Sequence, residues 1–188
     1  WVFNYTDCAG NSHDWTYTYT IDIPDFTMPA DEASTVDCLV DAQVQPTPPV
    51  VTDFCGNNIT PTLVTTPADQ ACEGPMAWVF NYTDCAGNSH DWTYTYTIDI
   101  PDFTMPPDEA STVDCLVDAQ VQPTPPIVTD FCGNNITPTL VTTPADQACE
   151  GDMAWVFNYT DCAGNSHDWT YTYTIDIPDF TMPPDEAS

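Results

Sequence analysis

The chain repeats itself every 77 residues, so that Cys38, Cys55, Cys72 and Cys85 recur as Cys115, Cys132, Cys149 and Cys162. Laying residues 1–111 over 78–188 leaves only three differences, Ala30/Pro107, Val50/Ile127 and Pro75/Asp152. Self-similarity at a fixed period marks a tandem array in which each unit is one small fold and the array is the working object. A fibre or stalk built of identical repeats is therefore the first expectation, ahead of any single site.

Charge narrows the class. The sequence holds 29 Asp and Glu residues and no Lys or Arg, a formal charge of −29. Such a chain disfavours nucleic acid and anionic membranes, both of which need cationic contacts. Without Lys or Arg no salt bridges are expected, so stability must come from burial, backbone pairing and covalent links. Aromatic residues make up 12% of the chain, and Leu, Ile and Val alternate with Thr, which argues against a disordered acidic tail. The sequence starts at Trp1 and shows no initiator Met, signal peptide or bilayer-spanning apolar run. It reads as a window on something longer or as a processed product.

Two stretches, Ala77–Asp84 and Asp91–Ile100, alternate with period two. Trp78, Phe80 and Tyr82 fall on one face of the first, and Trp92, Tyr94, Tyr96, Ile98 and Ile100 on one face of the second. This is a strand signal in residues suited to a pleated, half-buried surface. Cys85-Ala86-Gly87-Asn88-Ser89-His90 between them supplies Gly and Asn for a turn, so the pair reads as an antiparallel hairpin with an aromatic core face and a Thr-rich outer face. A second hairpin is expected at Val50–Thr66, turning at Cys55-Gly56-Asn57-Asn58, with an earlier strand at Thr35–Val40. No stretch shows a 3.6-residue period, and 19 prolines punctuate the connections. Short strands with frequent turns predict an all-β chain of immunoglobulin-like sandwiches.

Boundaries are placed in the acidic, Pro-bearing stretch Ile100-Pro101-Asp102-Phe103-Thr104-Met105-Pro106-Pro107-Asp108-Glu109 and its counterparts at 23–32 and 177–186. Whole units then span 25–101 and 102–178, residues 1–24 are the last hairpin of a preceding unit, and 179–188 lead to a following one. Alone, that first hairpin would expose Trp1, Phe3 and Tyr5 and be marginal in water, unless a neighbouring chain covered it by strand exchange.

Each unit carries four cysteines, with Cys8 left over. Domains this small rarely hold together on burial alone, and regular cysteines without a CxxC pair point to disulfides rather than zinc. Cys72 and Cys85 flank a strand of roughly nine residues at about 3.3 Å each, far beyond the reach of a disulfide. That removes Cys72–Cys85, and Cys38–Cys55 with it. Strand directions put Cys38 and Cys72 at one pole and Cys55 and Cys85 at the other. The pairs expected are Cys38–Cys72 and Cys55–Cys85, repeated as Cys115–Cys149 and Cys132–Cys162.

Thr-Asp-Phe-Cys-Gly-Asn (52–57), Ala-Cys-Glu-Gly (71–74), Tyr-Thr-Asp-Cys-Ala-Gly-Asn (82–88) and Trp-Thr-Tyr-Thr-Tyr-Thr-Ile (92–98) together resemble the HYR-like (hyalin-repeat-like) domains strung through giant surface adhesins of Bacteroidota. The resemblance covers the whole repeat. It implies an immunoglobulin-like sandwich, export to the cell surface and a role in adhesion, gliding or extracellular fibres, and it brings no catalytic residues with it.

Asn4, Asn58, Asn81, Asn135 and Asn158 each begin an Asn-x-Thr acceptor pattern for N-glycosylation. A glycan coat there or on the many Thr residues would cover the outer face and blunt edge pairing. Asp22, Asp25, Asp31 and Glu32, with Asp99, Asp102, Asp108 and Glu109, gather around the boundaries, where hard carboxylates suit Ca²⁺. Their spacing matches no defined loop, and solvated acids are the preferred reading. His13, His90 and His167 are read as turn residues hydrogen-bonded to Asp14, Asp91 and Asp168. No nucleophile stands beside them and no basic side chain is available for an oxyanion, so catalysis is not expected and no cofactor is implied. Two functions remain. One is a structural unit of an extracellular fibril or stalk, stiffened by disulfides and Pro-bearing linkers. The other is an adhesin module gripping glycans or surfaces through many weak sites, rigidified by calcium.

Overall fold

The computed structural model describes residues 1–68, 70, 72–145 and 149–184. In chain order the strands are β1 (Val2–Thr6), β2 (Ser12–Thr16), β3 (Glu32–Val36), β4 (Val51–Thr52), β5 (Asn58–Ile59), β6 (Thr62–Thr65), β7 (Gly74–Thr83) and β8 (Ser89–Ile98). They continue with β9 (Glu109–Val113), β10 (Val128–Thr129), β11 (Asn135–Ile136), β12 (Thr139–Thr142), β13 (Gly151–Thr160) and β14 (Ser166–Ile175). Single helical turns α1 (Leu39–Ala42) and α2 (Leu116–Ala119) follow β3 and β9. The chain is all-β, in three tandem repeats of about 77 residues with sandwich-like sheets, the first represented by its hairpin β1–β2.

Residues 102–178 show how one repeat is built. β13 and β14 form a ten-residue antiparallel ladder from Gly151↔Ile175 to Thr160↔Ser166. Along β13 the alternation turns Met153, Trp155, Phe157 and Tyr159 inward, as a period of two requires. β12 pairs antiparallel with β13 and β9 pairs parallel with β14, giving the order β12-β13-β14-β9. The short β10–β11 pair forms the second layer, and its Val128 and Ile136 meet Trp155, Phe157, Tyr159 and Trp169 in the core. The same layout recurs as β6-β7-β8-β3 with β4–β5.

The Pro-bearing stretch is no loose tether. Phe103 is buried in the core of the repeat that follows it, with Met105 packed alongside. Trp169 donates its indole N–H to the Pro107 carbonyl at 3.0 Å, and the Asp108 carboxylate accepts the Thr170 backbone N–H at 2.8 Å. Phe26, Ala30 and Asp31 make the equivalent contacts with Trp92 and Thr93. Prolines cannot donate to a ladder, so this segment lies beside the sheet through side-chain acceptors and its own carbonyls. Part of its last counterpart, residues 185–186 of 177–186, lies outside the described residues, as does the end of 179–188.

Three expectations are corrected. The strand placed at Thr35–Val40 is β3 at Glu32–Val36, and the next residues close into one helical turn, too short to leave a period. The hairpin placed at Val50–Thr66 is split. β4 and β5 pair across the Cys55 turn over two rungs only, while β6 leaves to pair with β7 across a register shift between Leu63 and Thr65. Pro61 stands between β5 and β6 and denies the ladder a donor there. His13, His90 and His167 are the second residues of strands β2, β8 and β14 instead of sitting in turns.

Contacts divide the chain into two compact units. The first comprises Trp1–Glu32, Pro46–Thr66 and Trp78–Tyr94, and the second Ala33–Gln45, Pro67–Ala77 and Thr95–Ser188. The second unit thus contains all of 102–178 together with the Cys38- and Cys72-bearing segments of the preceding repeat. In the first unit the β1–β2 hairpin presents Trp1, Phe3, Trp15, Tyr17 and Tyr19 along an open cleft of about 350 Å³, the face that is core in the complete repeats.

Trp169 is 1% exposed, so Trp169→Ala removes a filled volume and an indole hydrogen bond. A loss of about 3–5 kcal/mol is expected, read as a lower urea midpoint of the full chain. Val141→Ala, at an exposed strand position, should change stability by less than about 0.5 kcal/mol.

Candidate functional site

The chemistry of this chain lies in its cysteines, and two kinds of local structure position them. The first is a turn clamped by an aspartate. In Asp84-Cys85-Ala86-Gly87-Asn88, the Asp84 carboxylate accepts the backbone N–H groups of Ala86 and Asn88, both at 2.9 Å, and the Asn88 amide at 2.8 Å. Gly87 takes φ 91°, which only glycine adopts without strain. Asp53 closes the Cys55 turn in the same manner through Asn57, with bonds of 2.8 and 2.9 Å and Gly56 at φ 85°. Asp130 and Asp161 do so around Cys132 and Cys162, and Asp7 around Cys8. Five cysteines are therefore carried on one recurring device, an Asx turn sealed by an Asn four residues on.

The second kind sits at the opposite ends of the strands. Cys38 is the extended residue that starts α1, and Cys72 lies two residues before β7. Ile100 donates its backbone N–H to the Glu73 carboxylate at 2.9 Å, which ties the Cys72 segment to the end of β8.

Turn cysteines bond to end cysteines. Cys38 pairs with Cys132 across a Cα separation of 5.8 Å, and Cys72 pairs with Cys162 across 5.6 Å, both within the ordinary span of a disulfide. Both bonds lie inside the second compact unit and join one repeat to the next. The expected pairs Cys38–Cys72 and Cys132–Cys162 are therefore corrected, because each of these cysteines has its partner in the other repeat. Cys55–Cys85 and Cys115–Cys149 are corrected too, since those four are free and exposed, as is Cys8. The rejected pairings, Cys72–Cys85 and Cys38–Cys55, do not occur. In an array the opposite pole of the neighbouring repeat is also within the reach of a disulfide.

Packing seals the same joint. Ala42, Met76, Ile98 and Ile100 form a buried cluster, and Cys132 and Ala163 from the clamped turns pack onto it. The counterpart cluster of the next repeat is Ala119, Met153 and Ile175, and among the described residues Val113, Leu116 and Tyr173 pack on it. Accordingly Ile100 is 8% exposed and its equivalent Ile177 is 42% exposed. A cleft of about 690 Å³ runs beside the two disulfides, with Gln43, Gln70, Asn134, Asn135 and Thr137 among its walls.

The remaining candidate residues are distributed. His90 Nε2 lies 2.9 Å from the Asp25 carboxylate, and His167 Nε2 lies 2.8 Å from that of Asp102. The expected neighbours Asp91 and Asp168 instead accept from the Asn81 and Asn158 amides, at 2.7 Å in each repeat. Phe26 and Phe103 stand edge-on to these imidazoles, so the histidines latch the Pro-bearing segment to the sheet. These two His–Asp contacts are among the bonds that hold the segment in place. Asp31 and Asp108 serve as strand acceptors, as described, while Asp22, Glu32, Asp99 and Glu109 join no metal-binding cluster among the described residues. Among the described residues no group of three His, Cys, Asp or Glu is placed to hold a metal ion.

Of the Asn-x-Thr sites, Asn58 and Asn135 are exposed on β5 and β11. Asn81 and Asn158 lie half-buried on β7 and β13, each bonded to a Ser and an Asp of the facing strand. Asn4 is exposed on β1 and donates to Asp14 at 2.6 Å.

A family model for the HYR-like domain with four cysteines matches residues 1–21, 26–98 and 103–175. The chain belongs to this family. HYR-like domains are typically extracellular repeat modules with structural or adhesive roles, and here two of the four cysteines of each repeat form the joint. No curated protein matches the chain. Among the described residues, no helix is long and apolar enough to cross a membrane.

Sequence reasoning identified the cysteines as structural but missed the aspartate clamps. The signal was present, because Asp precedes and Asn follows every turn cysteine within five residues. The clamp also titrates. Hydrogen bonds from the Asn57 side chain and backbone hold the Asp53 carboxyl below its ordinary range, and Asn11 does the same for Asp7. For Asp84 burial pushes the value up, but the combined bonds of Asn88, Ala86 and Gly87 outweigh it and the net direction is down. Folded values below unfolded ones stabilise the fold above the unfolded pKa of about 4, and that contribution is lost as pH falls through the folded values. Thermal unfolding of the full chain should thus drop in midpoint below about pH 4, and Asp53→Asn with Asp84→Asn should flatten that drop. An unaltered acid limb in the double variant would contradict the clamp.

Non-reducing peptide mapping should join fragment 29–76, which carries Cys38, to fragment 106–153, which carries Cys132. Trypsin has no site in this chain, so the chain is cut after Met28, Met76, Met105 and Met153, and Val50/Ile127 and Pro75/Asp152 distinguish the two fragments by mass. A Cys38–Cys72 link would contradict the joint.

Proposed function

We propose that this chain is a non-enzymatic structural segment of an extracellular fibril or cell-surface stalk, in which identical repeats are each other's main partners and exposed sequons carry glycans. The observation that carries the reading is the joint: two disulfides and a shared apolar cluster bind one repeat to the next. A recognition module strung on flexible linkers needs no such bond, whereas a load-bearing array does. Asn58 and Asn135 are the favoured glycan sites among the five, because their side chains are exposed. At Asn81 and Asn158 the amide nitrogen that would take the sugar is already bonded to Asp91 or Asp168.

A second reading, an adhesin with many weak sites, finds support in the polar cleft beside the joint. A cleft recurring at every joint would give avidity without any strong single site.

The reading is tested on native material from the source cells, with an antibody raised against the clamped-turn peptide and viewed by electron microscopy. Labelling along filaments outside the cell is the expected result, together with a gel shift on enzymatic removal of N-glycans. Label confined to the cytosol would overturn it. Binding to a glycan array that rises steeply with repeat number would favour the adhesin instead.

A further inference from the structure

We infer that the two-disulfide joint is a propagating ladder, and that the exposed thiols Cys115 and Cys149 at one end and Cys55 and Cys85 at the other are its unclosed rungs. The partner is a further 77-residue repeat of this sequence on the same polypeptide. This goes beyond a structural role, because it fixes how each repeat is bonded to the next.

The rule is read from the bonds that exist. Cys38 bonds Cys132 and Cys72 bonds Cys162. Moved forward by one 77-residue period, Cys38 and Cys72 become Cys115 and Cys149; moved back, Cys132 and Cys162 become Cys55 and Cys85. All four of these are free and exposed. Cys8 is the same turn cysteine one period before Cys85. Each unpaired cysteine is therefore the sequence counterpart of one that is bonded.

Packing supplies an independent observation. The cluster of Ala42, Met76, Ile98 and Ile100 is capped by Cys132 and Ala163, while Ile177, the counterpart of Ile100, is left 42% exposed. Ala163 is half-buried and its counterpart Ala86 is exposed. The two ends thus display the two halves of one interface, an apolar socket flanked by two thiols and a pair of clamped turns that each carry a thiol.

Closure of each rung needs a two-electron oxidant, and a small-molecule disulfide of the extracellular medium suffices. The thiolate of Cys115 attacks that disulfide, displaces one thiol and forms a mixed disulfide. The turn cysteine of the following repeat then attacks as thiolate and displaces the second thiol. Two protein thiols lose two protons and two electrons, one protein disulfide forms, and one small disulfide is reduced to two thiols.

Two chains decide the matter, the 188-residue chain and one lengthened after Ser188 by one further repeat, each equilibrated in a glutathione redox buffer and alkylated in denaturant. Mass spectrometry should count five free thiols in the 188-residue chain. The lengthened chain should again show five, with two new disulfides joining Cys115 and Cys149 to the turn cysteines of the added repeat. Pairing within repeats would leave a single thiol in both chains and overturn the ladder. Four additional free thiols in the lengthened chain would also overturn it. Links from Cys115 to Cys55 of a separate copy, formed as readily as those within the lengthened chain, would overturn the assignment to one polypeptide. Every one of these readouts is independent of whether the native protein is found in filaments.

Discussion

Two covalent bonds, Cys38–Cys132 and Cys72–Cys162, carry what electrostatics in this chain cannot. With 29 acids and no Lys or Arg, repeats brought side by side repel one another, and a Debye length of about 8 Å at physiological ionic strength screens only the more distant part of that repulsion. Among the described residues the two His–Asp contacts, His90 with Asp25 and His167 with Asp102, hold the Pro-bearing segment to its own sheet and do not join repeats. A disulfide is indifferent to net charge. Closing a loop with a sequence separation of 94 stabilises by about 4–5 kcal/mol in the chain-entropy model.

The acids are not only a burden. Asp7, Asp53, Asp84, Asp130 and Asp161 gather backbone and Asn donors at turns, so their charge is satisfied locally and each turn becomes rigid enough to aim a cysteine. Asp31 and Asp108 extend the sheet edge where proline cannot, and Glu73 caps the end of β8. Carboxylates accept several hydrogen bonds and donate none when ionised, which makes them natural partners for the stray N–H groups of a fold made of short strands. The acidic composition, the many turns and the disulfide joint belong to one solution.

Much of the fold is legible in the sequence. The alternation of Trp78, Phe80 and Tyr82 against Val79, Asn81 and Thr83 gives the long hairpin and its core face directly, and the Gly-Asn turns follow from backbone conformation. The poles of the cysteines were also readable, with Cys38 and Cys72 at one and Cys55 and Cys85 at the other. Their partners were not, because strand direction says which pole a residue occupies and nothing about which repeat faces it. The one-turn helix at Leu39–Ala42 is too short to show a period. The Asp25–His90 latch spans 65 residues and no local pattern announces it.

Single-molecule stretching of the 188-residue chain between its ends tests the inter-repeat joint most directly. With Cys38 bonded to Cys132, the segment of sequence separation 94 stays hidden until reductant is added. At about 3.4 Å per residue, reduction should lengthen the fully unfolded chain by roughly 320 Å. Disulfides closed within repeats would hide only the stretches from Cys38 to Cys72 and from Cys115 to Cys149, and reduction would then add roughly 230 Å. The longer gain is the predicted result, and the shorter one would contradict a covalent joint between repeats.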